Sequence, residues 1–99
     1  MAEQLLQCRI APGQLMGEFA VSGTLSDGTE FSMFARENDV EFEGVPSEEF
    51  PIDGWIRVSV RERQGKLVLV QLPGQALENG RFVTVNDDQV KAGHQRERV

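Results

Sequence analysis

The sequence predicts an all-β protein built as a small, five- or six-stranded antiparallel barrel. Three observations favour this fold class. Apolar and polar residues alternate along several short runs, as side chains do on the two faces of a strand. Turn signals rich in glycine, proline and aspartate separate these runs. No amphipathic helical pattern reaches ten residues, and no internal repeat of useful length is visible. A barrel would remove the exposed edges of so many short strands.

The length and the cysteine content indicate one small domain. With 99 residues the chain can form a single core without a metal or a disulfide. We expect one domain over residues 1–86 and a polar, frayed tail over 87–99. The one cysteine, Cys8, alternates with Leu6 and Ile10, so we expect a small core residue rather than a reactive thiol. No signal peptide or membrane-spanning run is recognisable, and we expect a cytoplasmic protein.

The first hairpin is predicted over residues 18–36. A two-residue loop at Asp27-Gly28 would place the apolar sets of the two strands on opposite faces of the sheet. A three-residue loop over 26–28 keeps one face apolar and places Gly28 where a left-handed residue is needed. The expected strands are 18–25 and 29–36, with Val21 opposite Met33 and Phe19 opposite Ala35.

A second hairpin follows the same reasoning. A three-residue loop over 63–65 keeps the valines of both strands on one face and ends in a glycine. It also sets Glu62 opposite Lys66, a favourable pair of charges. The expected strands are 55–62 and 66–72, with Val60 opposite Val68, Val58 opposite Val70 and Ile56 opposite Leu72.

The other elements are shorter. A first strand is expected over 4–11 and a short one over Val40 to Phe42. The prolines at 46 and 51 leave room for one helical turn with Ser47 as a possible cap. A loop is expected over 73–80 and a last strand over 81–86, with either Phe82 or the pair Val83 and Val85 turned inward.

The strand–Asp27-Gly28–strand unit and the segment 53–60, DGWIRVSV, carry a resemblance to a known fold family. A three-strand meander, a short irregular link and a hairpin over residues 4–72 resemble an OB-fold of the S1-like kind. The layout is similar to that of bacterial translation initiation factor one. This resemblance implies oligonucleotide binding on the face of strands two and three. The order Asp53-Gly54 departs from the Gly-Asp-like pair of those barrels, and an SH3-like barrel remains the alternative.

Charge is distributed unevenly along the chain. The net charge is −6, from 10 basic and 16 acidic residues, which by itself disfavours a polyanionic partner. Seven acidic residues and no basic one lie over 37–53, whereas 54–66 contains four basic residues and one acidic one. The acidic run is either a solvated surface or a docking surface for a basic protein. The docking residues would be Glu41, Glu43, Glu48 and Glu49.

The outer face of the second hairpin is the strongest candidate site. If Ile56 and Val58 point inward, Trp55 and Arg57 point outward. An outward aromatic ring beside arginines offers single-stranded nucleic acid a stacking platform and a charge partner for phosphate. The predicted nucleic-acid site consists of Phe34, Arg36, Trp55, Arg57 and Arg61.

Two alternatives compete with this interpretation of Trp55. The tryptophan can form a second small core with Leu67 and Leu69, beneath the 73–80 loop or the C-terminal strand, with arginine stems covering apolar surface. It can also belong to a protein-binding patch, because aromatic residues and arginine are enriched at interfaces.

The residues argue against catalysis and against bound cofactors. The one histidine, His94, falls in the expected tail, where no neighbour would hold it as a base. There is no cysteine–histidine cluster for zinc and no glycine-rich phosphate loop before a helix. We therefore expect a non-enzymatic, monomeric binding module without cofactor, metal or membrane contact. Weak binding of single-stranded RNA or DNA is the first expectation, and protein–protein interaction is the alternative.

Overall fold

The structure is a computed structural model that describes residues 3–13, 15–42 and 51–93. Eight antiparallel strands form one sheet that curls into a half-barrel, which confirms the predicted all-β, barrel-like class. Two 3₁₀ turns, Glu37–Asp39 and Asp87–Gln89, each precede a three-residue strand. The strands are β1 (Glu3–Pro12), β2 (Glu18–Thr24), β3 (Glu30–Arg36), β4 (Val40–Phe42), β5 (Ile52–Gln64), β6 (Leu67–Ala76), β7 (Gly80–Asn86) and β8 (Val90–Ala92).

Strands β1 and β5, of 10 and 13 residues, pair with each other and organise the sheet. The strand order is β3-β2-β1-β5-β6-β7, while β4 pairs with β5 and β8 pairs with β1. Along one edge, β1 pairs with β8 over Gln4–Leu6 and with β2 over Arg9–Pro12. In the same way, β5 pairs first with β4 and then with β6. Each long strand therefore changes partner midway.

The described strands form two halves with the same order of elements. In β1–β4 and in β5–β8, three strands are followed by a 3₁₀ turn and a short strand, and the short strand pairs with the long first strand of the other half. Val40 lies opposite Ile56, and Val90 lies opposite Leu6 at the corresponding place. The sequence hides this repeat, because segments 31–42 and 81–92 share only that valine.

The first hairpin has the predicted register. Val21 lies opposite Met33 and Phe19 opposite Ala35. Thr24 pairs with Glu30, and the Leu25 amide donates to the Thr29 carbonyl at 2.7 Å, so the loop contains residues 26–28. Gly28 has φ +90°, a left-handed value that residues with a Cβ rarely adopt.

The predicted register of the second hairpin is wrong. Gln64 pairs with Leu67, so the loop has two residues, and Val60 lies opposite Val70 rather than Val68. A regular two-residue loop would place Val60 opposite a polar residue, but a β-bulge between Val60 and Glu62 adds one residue and restores the apolar face. As a result Glu62 lies opposite Leu69, and the expected pair with Lys66 is absent from the described ladder.

The C-terminal part contains more structure than the sequence indicates. Strand β6 continues to Ala76 inside the expected 73–80 loop, and Val83 and Val85 are the inward residues of β7. Residues 87–92, expected to fray, form a 3₁₀ turn and β8 instead, because β1 offers them an unpaired edge. The helical turn expected after Ser47 and His94 lie outside the described residues.

The core fills the concave side of the curled sheet. Phe31 and Met33 from the first half pack with Val68, Val70 and Val85 from the second half, all almost fully buried. Two backbone bonds join the halves across the opening: the Leu77 amide donates to the Ser32 carbonyl at 2.8 Å, and the Ser26 amide donates to the Thr84 carbonyl at 2.9 Å. Outward-facing side chains of all strands therefore form the convex surface, where the candidate sites lie.

Candidate binding surfaces

Trp55 lies on the convex face of β5, but its ring is partly covered by the protein itself. In the sheet it lies between Gln7 of β1 and Glu41 of β4, and it is half-buried. The Lys91 ammonium lies 4.0 Å from the ring centroid, within cation–π range. A lysine from β8 therefore occupies a face of the indole on which a nucleic-acid base would stack.

Arg57 forms an ion pair with a carboxylate. Its Nη1 donates to the Glu41 Oε2 at 2.8 Å, and the two side chains are only 30% and 22% exposed. A partly buried, charge-assisted hydrogen bond of this kind is stronger than an exposed ion pair. Because the guanidinium already has an anionic partner, a phosphate would have to displace Glu41.

Sequence reasoning missed Leu5, which is buried on the same face of the sheet as Trp55 and Arg57. It points to the convex face, opposite Arg57 and Lys91, yet it is 1% exposed and lies apart from the main core. The sequence offered Leu67 as a member of a second small core around Trp55, but Leu67 is 44% exposed on β6. The signal was the consecutive pair Leu5-Leu6, which breaks the alternation of β1.

The five residues predicted to bind nucleic acid do not form one cluster. Trp55, Arg57 and Arg61 lie on β5, and Arg61 occupies the β-bulge. Phe34 and Arg36 lie on β3, with β2 and β1 in between. At the usual strand spacing this separates the two groups by about 14 Å along the sheet.

Phe34 lines an apolar groove on the first half of the sheet. Its side chain is 42% exposed, and next to it Leu77, held by its bond to Ser32, is 68% exposed. The groove has a volume of about 410 Å³. This Phe34 groove is lined by Arg9, Ala11, Ala20, Val21, Ser22, Ser32, Met33, Phe34, Pro51 and Leu77.

The groove exists because small residues form its floor. Ala11 lies opposite Ala20, which lies opposite Phe34. The second half has Leu69 opposite Thr84 at the place equivalent to Ala20 opposite Phe34. Leu69 fills the space that Ala20 leaves open in the first half. The groove is therefore a feature of the first half at this position.

An ordered turn presents two further apolar side chains beside the groove. Met16 is fully exposed and Leu15 is 69% exposed. The Leu15 amide donates to the Glu18 carboxylate at 3.1 Å, and the Glu18 amide donates back to the Leu15 carbonyl at 3.1 Å. Gly17, with φ +78°, allows the tight reversal. This Leu15–Glu18 turn shares a second depression with Phe34 and Arg36.

The acidic docking surface can be assessed at one residue. Glu41 lies on β4 and bonds with Arg57. Glu43, Glu48 and Glu49 lie outside the described residues. In the described part of this acidic run, the carboxylate that was expected to meet a basic partner serves an internal contact instead.

Cys8 is a buried core residue. Loss of hydration on burial, with a smaller effect of the nearby Asp53 carboxylate, raises the pKa of its thiol from 9.0 to about 12. The thiol is therefore protonated and unreactive near neutral pH. Among residues 3–13, 15–42 and 51–93, no three metal-ligating side chains come together.

Two further results concern the chain as a whole. None of its described segments is a helix of the length and apolar character needed to cross a bilayer. The chain matches none of the protein-family models, curated proteins or solved structures with which it was compared.

Proposed function

We propose that this protein is a non-enzymatic binding module that docks a segment of a partner protein in the Phe34 groove. The observation that carries this proposal is the exposed apolar floor formed by Ala11, Ala20 and Phe34, with Leu77 beside it. An aromatic ring next to an apolar depression is the arrangement in which interface hot spots occur. The Leu15–Glu18 turn, whose backbone is held by hydrogen bonds, extends the same apolar surface.

An OB-like barrel layout is part of this proposal. It is supported by the β1–β2–β3 meander, the short link and the β5–β6 hairpin. OB-folds bind ligands on the face of strands two and three and with the loop between strands one and two. The Phe34 groove and the Leu15–Glu18 turn lie at the corresponding places.

Charge favours a protein over nucleic acid as the ligand. The molecule has a net charge of −6, and affinity for nucleic acid depends mainly on cations that neutralise phosphates. In the predicted nucleic-acid site, the cation Arg57 already binds Glu41. The aromatic ring of Trp55 is covered by Lys91. An apolar groove does not require its ligand to be charged.

Single-stranded nucleic acid is the second candidate. It is supported by the exposed ring of Phe34 next to the exposed Arg36 on the strand that the OB-like layout uses for binding. One platform and one nearby cation predict weak binding with a modest salt dependence, because this dependence grows with the number of phosphates neutralised. Trp55, the one tryptophan, would report such binding only indirectly, since it lies on a different strand.

Filling the groove tests the first candidate. The A20L variant places a leucine where the equivalent position of the second half already has Leu69, so the fold should accept it. L69A is the matched control at the equivalent position. We expect wild type and L69A, but not A20L, to capture a common protein from nuclease-treated extract of the native cell. The purified protein should then bind A20L at least tenfold more weakly. Equal capture and equal affinity for all three baits would refute the proposal.

A titration separates the second candidate from the first. Labelled single-stranded RNA and DNA are added to wild type, F34A and R36Q at two salt concentrations. For a protein-docking module we expect no binding even at low salt. Salt-sensitive binding that F34A abolishes would establish the second candidate in place of the first.

A further inference from the structure

The two rows of side chains in the groove floor differ in chemistry. One row across the strands is apolar and consists of Ala11, Ala20 and Phe34. The row two residues away along each strand is polar: Arg9 lies opposite Ser22, and Ser22 lies opposite Ser32. A guanidinium beside two hydroxyls offers several hydrogen-bond donors to an anionic oxygen.

We propose, building on the proposed function, that the partner segment pairs a large apolar side chain with a carboxylate. The apolar side chain lies on the Ala20–Phe34 row and the carboxylate binds Arg9. Among the residues that the structure describes, Arg9 is the one charged side chain in the lining of the Phe34 groove. The protein has a net charge of −6, so the positive charge of Arg9 in the groove is opposite in sign to that of the molecule as a whole. Charge complementarity of this kind selects partners more than it adds affinity.

The spacing of the rows defines the spacing in the ligand. Two residues along a strand span about 7 Å. In an extended ligand the acidic and apolar side chains would then be two positions apart. In a helical ligand they would be four positions apart, since four residues rise about 6 Å. A carboxylate next in sequence to the apolar residue fits neither arrangement.

Asp53 lies where it competes with the proposed carboxylate. It is opposite Arg9 in the pairing of β1 with β5. Because residues paired across strands are close neighbours, the Asp53 carboxylate would repel a carboxylate bound to Arg9. The D53N variant should therefore bind the acidic ligand more tightly than wild type, a result that an Arg9 with a purely structural role would not produce.

A displayed library of random 12-residue peptides provides a defined probe. Peptides are selected on wild type and counter-selected on A20L, so that only ligands needing the open groove survive. We expect survivors with Asp or Glu two or four positions from a large apolar residue. A synthetic survivor should bind R9Q and R9E at least tenfold more weakly, while R81E, a matched change on β7, has no effect. A peptide in which Lys replaces the acidic residue should bind R9E better than wild type.

The outcomes separate this inference from the proposed function. Survivors that lack the acidic residue, or that bind R9Q as well as wild type, would overturn the inference and leave the groove as a docking site. If no peptide depends on an open groove, both ideas fail. Thermal unfolding of R9E, R9Q and R81E shows whether each variant is folded. If R9E does not fold, the affinity of R9Q for the peptide decides the test.

Discussion

Leu5 should contribute far more to stability than its place on the convex face suggests. Its side chain is 1% exposed, although its register neighbours Arg57 and Lys91 are polar. Truncating a buried leucine to alanine costs about 2–5 kcal/mol. The long side chains of Arg57 and Lys91 border this site and can partly refill the cavity, so we expect L5A to lose about 2–3 kcal/mol, in the lower part of that range. For a domain of this size that corresponds to a fall in Tm of about 10–20 °C.

The matched control is L67A, since Leu67 is 44% exposed on β6. Surface truncations of this kind change stability by about 0.5 kcal/mol. Urea unfolding followed by circular dichroism gives both free energies, and the emission of Trp55, on the same face of the sheet, gives a second signal. If L5A lost no more than L67A with an unchanged urea dependence, Leu5 would not be part of a core. The account of how the Trp55 surface is closed would then be wrong.

Three further predictions concern the same face and the core beneath it. K91A should uncover the ring of Trp55, costing about 0.5–1 kcal/mol and shifting the tryptophan emission to longer wavelength; an unchanged spectrum would contradict the contact. E41Q should cost about 1 kcal/mol by removing the carboxylate that Arg57 binds, and this loss should shrink in 1 M salt; a loss independent of salt would argue against an ionic origin. The pKa of Cys8 is raised from 9.0 to about 12, so between these values the unfolded chain releases a proton that the folded chain retains, and stability should fall as pH rises through that window. The part of this fall that is due to Cys8 should be absent in C8A, and equal pH dependence of the two proteins would refute the shift.

The sequence predicts the register of the first hairpin because one face is buried. A slip of one residue would place Val21 and Met33 on opposite faces of the sheet, and a regular three-residue loop avoids this. The same rule does not decide the second hairpin. There, a regular three-residue loop and a two-residue loop with a bulge at Arg61 both keep the valines inside. Gly65, with φ +63°, is the first residue of the two-residue loop. The periodicity of the sequence does not reveal this.

The candidate sites divide in the same way. That Phe34 and Trp55 point outward follows from alternation along single strands. What lies next to them does not, because Lys91 reaches Trp55 from β8, and Leu77 reaches the Phe34 groove from beyond β6. The sequence therefore predicts that both side chains point outward, but not that the ring of Trp55 is covered while Phe34 borders a groove.

Alone, the sequence determined the all-β class, the inward and outward face of most strands and the loop of the first hairpin. These features depend on neighbours within a few residues, and hydrophobic alternation records them directly. Only the tertiary structure decided the pairing of the two halves, the ordering of β8 and the open floor at Ala20. Each of these depends on residues far apart in the chain, since β8 is ordered by the unpaired edge of β1 and the groove opens where Ala11 meets Ala20. Local hydrophobic periodicity carries no information about contacts between residues that are distant in the sequence.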